Sequence, residues 1–324
     1  MNRYEPGILQ SNDIEGLRRY LDDELRRIAS AIEDRLDLDT ISVLPSKPRE
    51  GMIRYLDGTN TGTGEGPHVY LNGAWVPLAM ADFGLEVARG NITNVAQLNK
   101  FGRYTAVGTT ELTVWDGGTD YITTPGFAGS ELITHIWSTD AADTSITVVI
   151  EGLDDTFAEV TTTKATDGAD GTTAVALDDT LQRINRMYVA DTTQAVGNLR
   201  VGDSGKTAFY SQITIGANQT GQALYTVPLG KTLYLYQIYA DQNDAAGATV
   251  ASSIILYAHD NENTGNVRRQ HLTLGITDGG SSHLAHKYPS PWPIPEKWDV
   301  YINASTSSGT RDISAGFEGF LVTN

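Results

Sequence analysis

The sequence predicts a mainly β protein: an N-terminal amphipathic helix, a small β-hairpin module, and two β-sandwich or jelly-roll-like domains. Three observations carry that expectation. Charged residues are only 19% of the chain and glycine is frequent at 33 residues, so short apolar runs are separated by Thr, Ser, Asn and Gly, the composition of strands and turns. Residues 13–39 alone are crowded with Arg, Asp and Glu between evenly spaced Leu and Ile, which is a helical pattern. Beyond residue 110 the same strand-and-turn rhythm fills two successive segments.

With 324 residues, 40% of them hydrophobic, the chain can bury more than one core. We expect an arm and oligomerising helix over 1–44, a hairpin module over 45–80, a connector over 81–110, a sandwich over 111–205 and a C-terminal sandwich over 206–324. The absence of cysteine excludes disulfides, Cys-based zinc sites and thiol nucleophiles. A formal net charge of -17 repels phosphate backbones, so no nucleic-acid partner is expected. No secretory pattern follows Met1, and no run approaches the ~20 apolar residues of a membrane span, so membrane insertion is not expected either.

The first ten residues carry Pro6 and Gly7 and read as an extended arm. Asn12 and Glu15 then have capping-box spacing, with Ser11 as an alternative cap, and Asp13 and Glu15 suit a helix N-terminus. The helix should run to about Leu36. Its apolar positions, Ile14, Leu17, Leu21, Leu25, Ile28, Ile32 and Leu36, are spaced 3, 4, 4, 3, 4, 4. That eleven-residue repeat predicts a nearly straight or slightly right-handed bundle. Asp22 with Arg26 and Asp23 with Arg27 are i,i+4 pairs on the polar face. Such a stripe can pack on its own β-domain or on copies of itself; its narrowness and even repetition favour copies.

Residues 40–51 hold two prolines and a glycine and should be extended. Strands are expected at Met52–Leu56, Val69–Leu71 and Ala74–Leu78, the last two joined at Asn72-Gly73, the strongest short hairpin signal. Within this stretch, Pro45, Pro48, Gly51, Tyr55, Asp57 and Gly58, then a glycine loop, then Tyr70, Gly73 and Trp75, resemble a segment of tailed-bacteriophage virion structural proteins, found in tail fibres and related appendages. The preceding residues 17–32 look like the helix that stands before that segment. Where the family carries an aromatic after Asp-Gly-Thr, this chain has Asn60-Thr61.

The resemblance covers about a quarter of the chain. It implies a virion protein assembled in the bacterial cytoplasm: a non-enzymatic, trimeric fibre, fibre adaptor or spike subunit fastened through its N-terminus to other virion proteins. Head decoration or a neck fibre at the head-tail connector is the alternative, and a spike that binds or cleaves host surface glycan a further one.

In the first later segment, strands are expected at Leu112–Trp115, Leu132–Trp137, Ile146–Ile150, Thr172–Leu177 and Ile184–Val189. In the second they are expected at Gln212–Ile215, Leu224–Val227, Thr232–Tyr239, Val250–Tyr257, His271–Leu274, Val300–Asn303 and Gly316–Val322. Residues 123–143 run parallel to 226–246, sharing a Thr-x-Pro start and a polar Asp/Ala end, and Arg183–Val189 parallels Trp298–Ile302. A duplication would leave such a pattern, and so would the chance recurrence of short β motifs.

No catalytic residue, metal ligand or cofactor site is expected. The glycine loop at 58–66 ends in Glu65-Gly66-Pro67, without the Lys-Ser/Thr of a P-loop. His283 and His286 have no third ligand or helix to hold them together. Glu151, Asp154, Asp155, Asp178 and Asp179 are the carboxylates a glycan-cleaving site could draw on, but they sit where Asp serves turns. Tyr234, Tyr236 and Trp292 are candidates for an interface or for stacking on sugar; alternation along 233–238 puts Tyr234 and Tyr236 on one face and Leu233 and Leu235 on the other.

Overall fold

The computed structural model describes residues 16–17, 19–26, 40–59, 61, 63–78, 83–121, 132–190, 192–243, 250–262, 268–277 and 283–324. It divides into two compact units, Met1–Thr93 and Asn94–Asn324.

In the first unit the described residues between 16 and 26 are helical, forming α1. Ile14, Ile28, Ile32 and Leu36 lie outside the described residues. Behind α1 stands a four-stranded sheet in the order β1-β2-β3-β4, built from Thr40–Ile41, Ile53–Asp57, Glu65–Leu71 and Ala74–Pro77. The short β1 runs parallel to β2, and the other pairs are antiparallel. Asn72 and Gly73 have φ of 50° and 84°, the left-handed pair that a two-residue hairpin turn requires. The middle strand starts at Glu65, earlier than the apolar run at Val69, because Glu65, Gly66 and Pro67 pair with Asp57, Leu56 and Tyr55. The glycine loop therefore shortens to a closure between β2 and β3. A one-and-a-half-turn helix α2, Phe83–Ala88, follows.

The second unit holds two sandwiches. One is made of β7 (Ile133–Ser138), β8 (Thr147–Leu153), β9 (Glu159–Ala165), β10 (Val175–Leu181), β11 (Arg183–Val189), β12 (Leu199–Gly202) and β13 (Phe209–Ile213). Its sheets are ordered β10-β7-β12-β13 and β11-β8-β9, around a core that includes Ile136, Ile150, Met187 and Val201. The other uses β5 (Val95–Val107), β6 (Leu112–Thr113), β14 (Leu224–Thr226), β15 (Lys231–Asn243), β16 (Ala251–Asp260), β17 (Arg268–Thr277), β18 (His283–Ile294), β19 (Trp298–Thr306) and β20 (Arg311–Thr323). Here the sheets run β18-β15-β20-β5 and β14-β19-β16-β17, with β6 also on β19, around Leu233, Leu235, Ile254, Ile302 and Phe317.

These sheets revise the expected boundaries. The stretch taken as a connector, 81–110, contains the thirteen-residue β5, which pairs with β20 along nearly its whole length. Its polar exposed side (Gln97, Asn99, Arg103) hides the strand pattern in the sequence. Residues 209–213, expected to open the C-terminal domain, instead close the middle sandwich as β13, because β12 has a free edge that they pair with. The middle sandwich is thus inserted between β6 and β14 of the outer one, and both of those strands lie on β19.

The sheet orders also bear on the repeat. β10-β7-β12 corresponds to β18-β15-β20, and β11-β8-β9 to β19-β16-β17, every pair antiparallel. The two sequence parallels match β7 with β15 and β11 with β19, which are equivalent positions in that scheme.

Candidate functional site

Each group of candidate residues can now be located. On α1, Leu17, Leu21 and Leu25 are 44%, 51% and 62% exposed, whereas Gly16, Tyr20 and Glu24, one position back along the helix, are the sheltered face. These three leucines of the stripe are therefore uncovered in a single chain.

The motif residues build the small sheet. Gly51 donates its N–H to the Tyr70 carbonyl at 2.8 Å, the Tyr70 and Trp75 rings meet edge to face at 5.4 Å, and the Tyr55 hydroxyl donates to Glu65. Asp57 accepts from the Thr59 N–H and hydroxyl, and Gly58 adopts φ of 74°, so Asp-Gly forms the turn out of β2. Pro45 and Pro48 lie in the irregular segment before β2.

Tyr234, Tyr236 and Trp292 are not brought together. Leu233 and Leu235 are fully buried and Tyr234 is exposed, as the alternation predicts. Trp292, however, is paired directly opposite Leu235, which in an antiparallel sheet puts it on the core side, where it packs on the His271 ring at 3.8 Å. Tyr236 lies outside against Phe320 and donates to Glu318 at 3.0 Å. His283 and His286, an odd step apart on β18, face opposite sides; His283 pairs with Asp241 at 3.1 Å and His286 meets the Tyr288 ring edge to face. Among the described residues no group of three or more His, Cys, Asp or Glu is placed to hold a metal ion. Asp154 accepts from the Thr156 and Ala158 N–H groups, Asp170 from Thr172, and Asp178 pairs with Lys164, so these carboxylates serve turns and strands.

The chemistry concentrates instead where the two sandwiches join. An aromatic cluster of Trp115, Tyr121, Tyr257 and Tyr301 takes Phe209 from β13 of the middle sandwich, with Trp115 and Phe209 centroids 5.6 Å apart, and the Tyr121 hydroxyl donates to the Tyr210 carbonyl at 2.8 Å. Beside it Arg183 of β11 forks onto the fully buried Asp299 of β19 at 3.1 and 3.3 Å. Asn261 and Thr226 donate to the same carboxylate, and His259 faces it at 3.4 Å. Burial alone would raise the Asp299 carboxyl. The Arg183 guanidinium, with hydrogen bonds from His259, Arg183 and Thr226, outweighs it and holds the carboxyl below its ordinary range.

On the same junction opens a cleft of about 410 Å³ between β5 and the middle sandwich. Its floor is Lys100, only 7% exposed, whose ammonium donates to the Asn185 carbonyl. That carbonyl is held in place because the Asn185 amide brackets the Thr226 backbone at 2.9 and 3.0 Å. Glu151 of β8, Arg186 of β11, Gln219, Thr220 and Tyr225 line it together with residues 97–101 of β5, where Leu98 and Lys100 face inward and Gln97, Asn99 and Phe101 point to the outer face of their sheet. Arg186 donates to Gln219 at 3.3 Å and lies over the Tyr188 ring. Burial pushes the Lys100 ammonium down to about 7; the nearby Arg186 charge adds to that and the Glu151 charge opposes it.

Sequence reading missed this site. Its residues come from positions 97–101, 151, 185–186, 219–220 and 225, and no local motif links them. The one available signal is Lys100 itself, a charged residue at an inward-facing position of an alternating run.

Comparison with protein-family models, with curated proteins and with solved structures finds no match to this chain.

Proposed function

We propose that the chain is a structural, non-enzymatic subunit of a tailed-phage particle: a fibre, fibre adaptor or spike protein whose copies associate, as a trimer, through the N-terminal helix. The uncovered leucine stripe of α1 is the observation that carries this reading. Leu17, Leu21 and Leu25 stand in water in a single chain, and burying each in a helix bundle contributes ~1.5–3 kcal/mol. An isolated helix of this length is marginal, so partner helices also stabilise the element that exposes them. The segment at 45–78, whose Tyr55, Asp57, Gly58, Tyr70 and Trp75 each have a part in the small sheet, supports the phage assignment through its resemblance to appendage proteins. The same N-terminal region would dock on tail, neck or capsid components.

Light scattering on the full chain tests the proposal, beside a variant carrying Leu17→Ser, Leu21→Ser and Leu25→Ser. Three chain masses falling to one in the variant is the expected result. A wild-type monomer overturns it, and an oligomer that survives the triple substitution moves the contact away from the helix.

A further inference from the structure

The first unit is short of a core. Among its described residues only Leu56 and Val87 are buried apolar side chains, and the hydrophobic clusters of the described residues all lie in the second unit. Its apolar surface points outward instead. Of sixteen large apolar side chains left exposed among the described residues, ten belong to this unit, although the second unit spans more than twice as many residues. Four of the ten, Ile53, Leu71, Val76 and Leu78, lie on or beside the small sheet rather than on α1. We infer that this sheet is completed by other copies of the chain: its apolar face packs on the same face of its symmetry mates, in a shared core that no single chain holds.

The strand register fixes which residues share that face. Val69 of β3 is paired directly with Ile53 of β2 and with Val76 of β4, so the three form one row across the sheet. Two residues along each strand, Leu71 and Ala74 lie on one side of the row and Tyr55 and Pro67 on the other. The Leu78 N–H donates to the Pro67 carbonyl, which carries the alternation on to Leu78. Ile53, Leu71, Val76 and Leu78 are 39%, 41%, 41% and 50% exposed. The reverse face holds the buried Leu56 and His68 and the edge-to-face pair Tyr70 and Trp75, so what packing the sheet has within one chain is on that side.

The chemistry of the face selects its occupant. The charges at its strand positions are Asp57 and Glu65, opposite each other at one end, and both are engaged locally: Asp57 holds the turn at Thr59 and Glu65 accepts from the Tyr55 hydroxyl. The rows beyond them offer no charge for a polar partner to pair with, and burial against another apolar face is what stabilises them. A copy of the chain presents that face at equal concentration, and the leucines of α1, in the same compact unit, are exposed for contact with copies as well. A unit of this size with two buried apolar side chains lacks the core to hold itself, and oligomerisation is one of the ways a small domain makes up such a deficit. The inference rests on the assembly reading for the partner being a further copy, but it places the contact on residues that reading does not use, so the two can fail separately.

The test uses the absence of cysteine: Val76→Cys in the full chain puts its one thiol on the face. Maleimide labelling of that variant is compared with Val196→Cys, an exposed position of the second unit, and is repeated with Leu17→Ser, Leu21→Ser and Leu25→Ser added. In the oligomer Val76→Cys is expected to label at least about tenfold more slowly than Val196→Cys, and at a similar rate once the chain is monomeric. Ile53→Ser with Val76→Ser, both exposed in a single chain, should raise the concentration at which the oligomer dissociates by about a hundredfold, read by light scattering. Slow labelling and an oligomer that both persist through the helix substitutions support the inference and move the assembly contact off α1. Fast labelling at position 76 in an intact oligomer overturns the inference and leaves the helix reading standing, as does an Ile53→Ser, Val76→Ser oligomer as stable as the wild type. A slow thiol in a monomeric chain also overturns it, because the face is then covered from within the chain. A monomeric wild type overturns it together with the assembly reading.

Discussion

The two sandwiches have the same strand order in both of their sheets, but β7 to β12 are four to seven residues long where β15 to β20 are nine to thirteen. Shared order with unequal length separates what the topology needs from what it tolerates. Order follows from which strands present an apolar face to a common core; length depends on how far each hairpin runs beyond that core.

The short sandwich closes its hairpins on aspartates, as at Asp154 between β8 and β9 and Asp170 before β10. The long one extends into edge strands, β17 and β18, and β18 carries Pro289, Pro291 and Pro293, which prevent a further strand from pairing along it. The position beside the last strand is filled in both, by β13 next to β12 and by β5 next to β20, but from opposite directions along the chain.

The largest expected effect comes from separating the two sandwiches. Asp299→Ala leaves Arg183 buried without its partner and should cost about 3–5 kcal/mol. By scanning calorimetry the single transition of the paired sandwiches should split in two. The same carboxylate predicts a pH dependence. Its folded value lies below the ordinary one, so its stabilisation is fully present above about pH 4 and is lost as pH falls through the lowered value. Asp299→Asn should flatten that acid limb.

Next in size is Gly102→Ala in β5. Its Cβ would sit 2.1 Å from the Val114 oxygen and 2.5 Å from the Ala223 nitrogen, both backbone atoms that cannot move aside cheaply. A loss of about 2–3 kcal/mol, confined to the outer sandwich in a denaturant titration followed by hydrogen exchange, is expected. An unchanged outer sandwich would mean that β5 is dispensable to it.

The smallest is Asp154→Ala, which removes the acceptor of the Thr156 and Ala158 N–H groups and should lower the stability of the middle sandwich alone by about 1 kcal/mol.

What could be read in advance depends on how local the cause is. The Asn72-Gly73 turn, the alternation of Leu233 and Leu235 with Tyr234, and the repeat linking β7 to β15 are each written within a few residues. The register shift after Leu235 is not: it turns Ile238 and Ala240 inward in place of Gln237 and Tyr239. Nor is the side of Trp292, which depends on which residue of another strand stands opposite it. The Leu17–Leu25 stripe was legible as a pattern, and the structure adds that a single chain leaves it bare. The cleft could not be assembled from sequence at all, because Lys100 meets Asn185 only after one sandwich is inserted into the other.

That insertion also orders events during synthesis. The middle sandwich has all its strands once residue 213 has emerged, so it can fold while translation continues. The outer one cannot: β5 must wait for β20, with Val107 opposite Arg311 more than two hundred residues later. Until then a thirteen-residue strand has no partner along its length. A chain cut short before residue 311 would carry one finished domain and one that cannot close, which ties a competent outer sandwich to synthesis of β20.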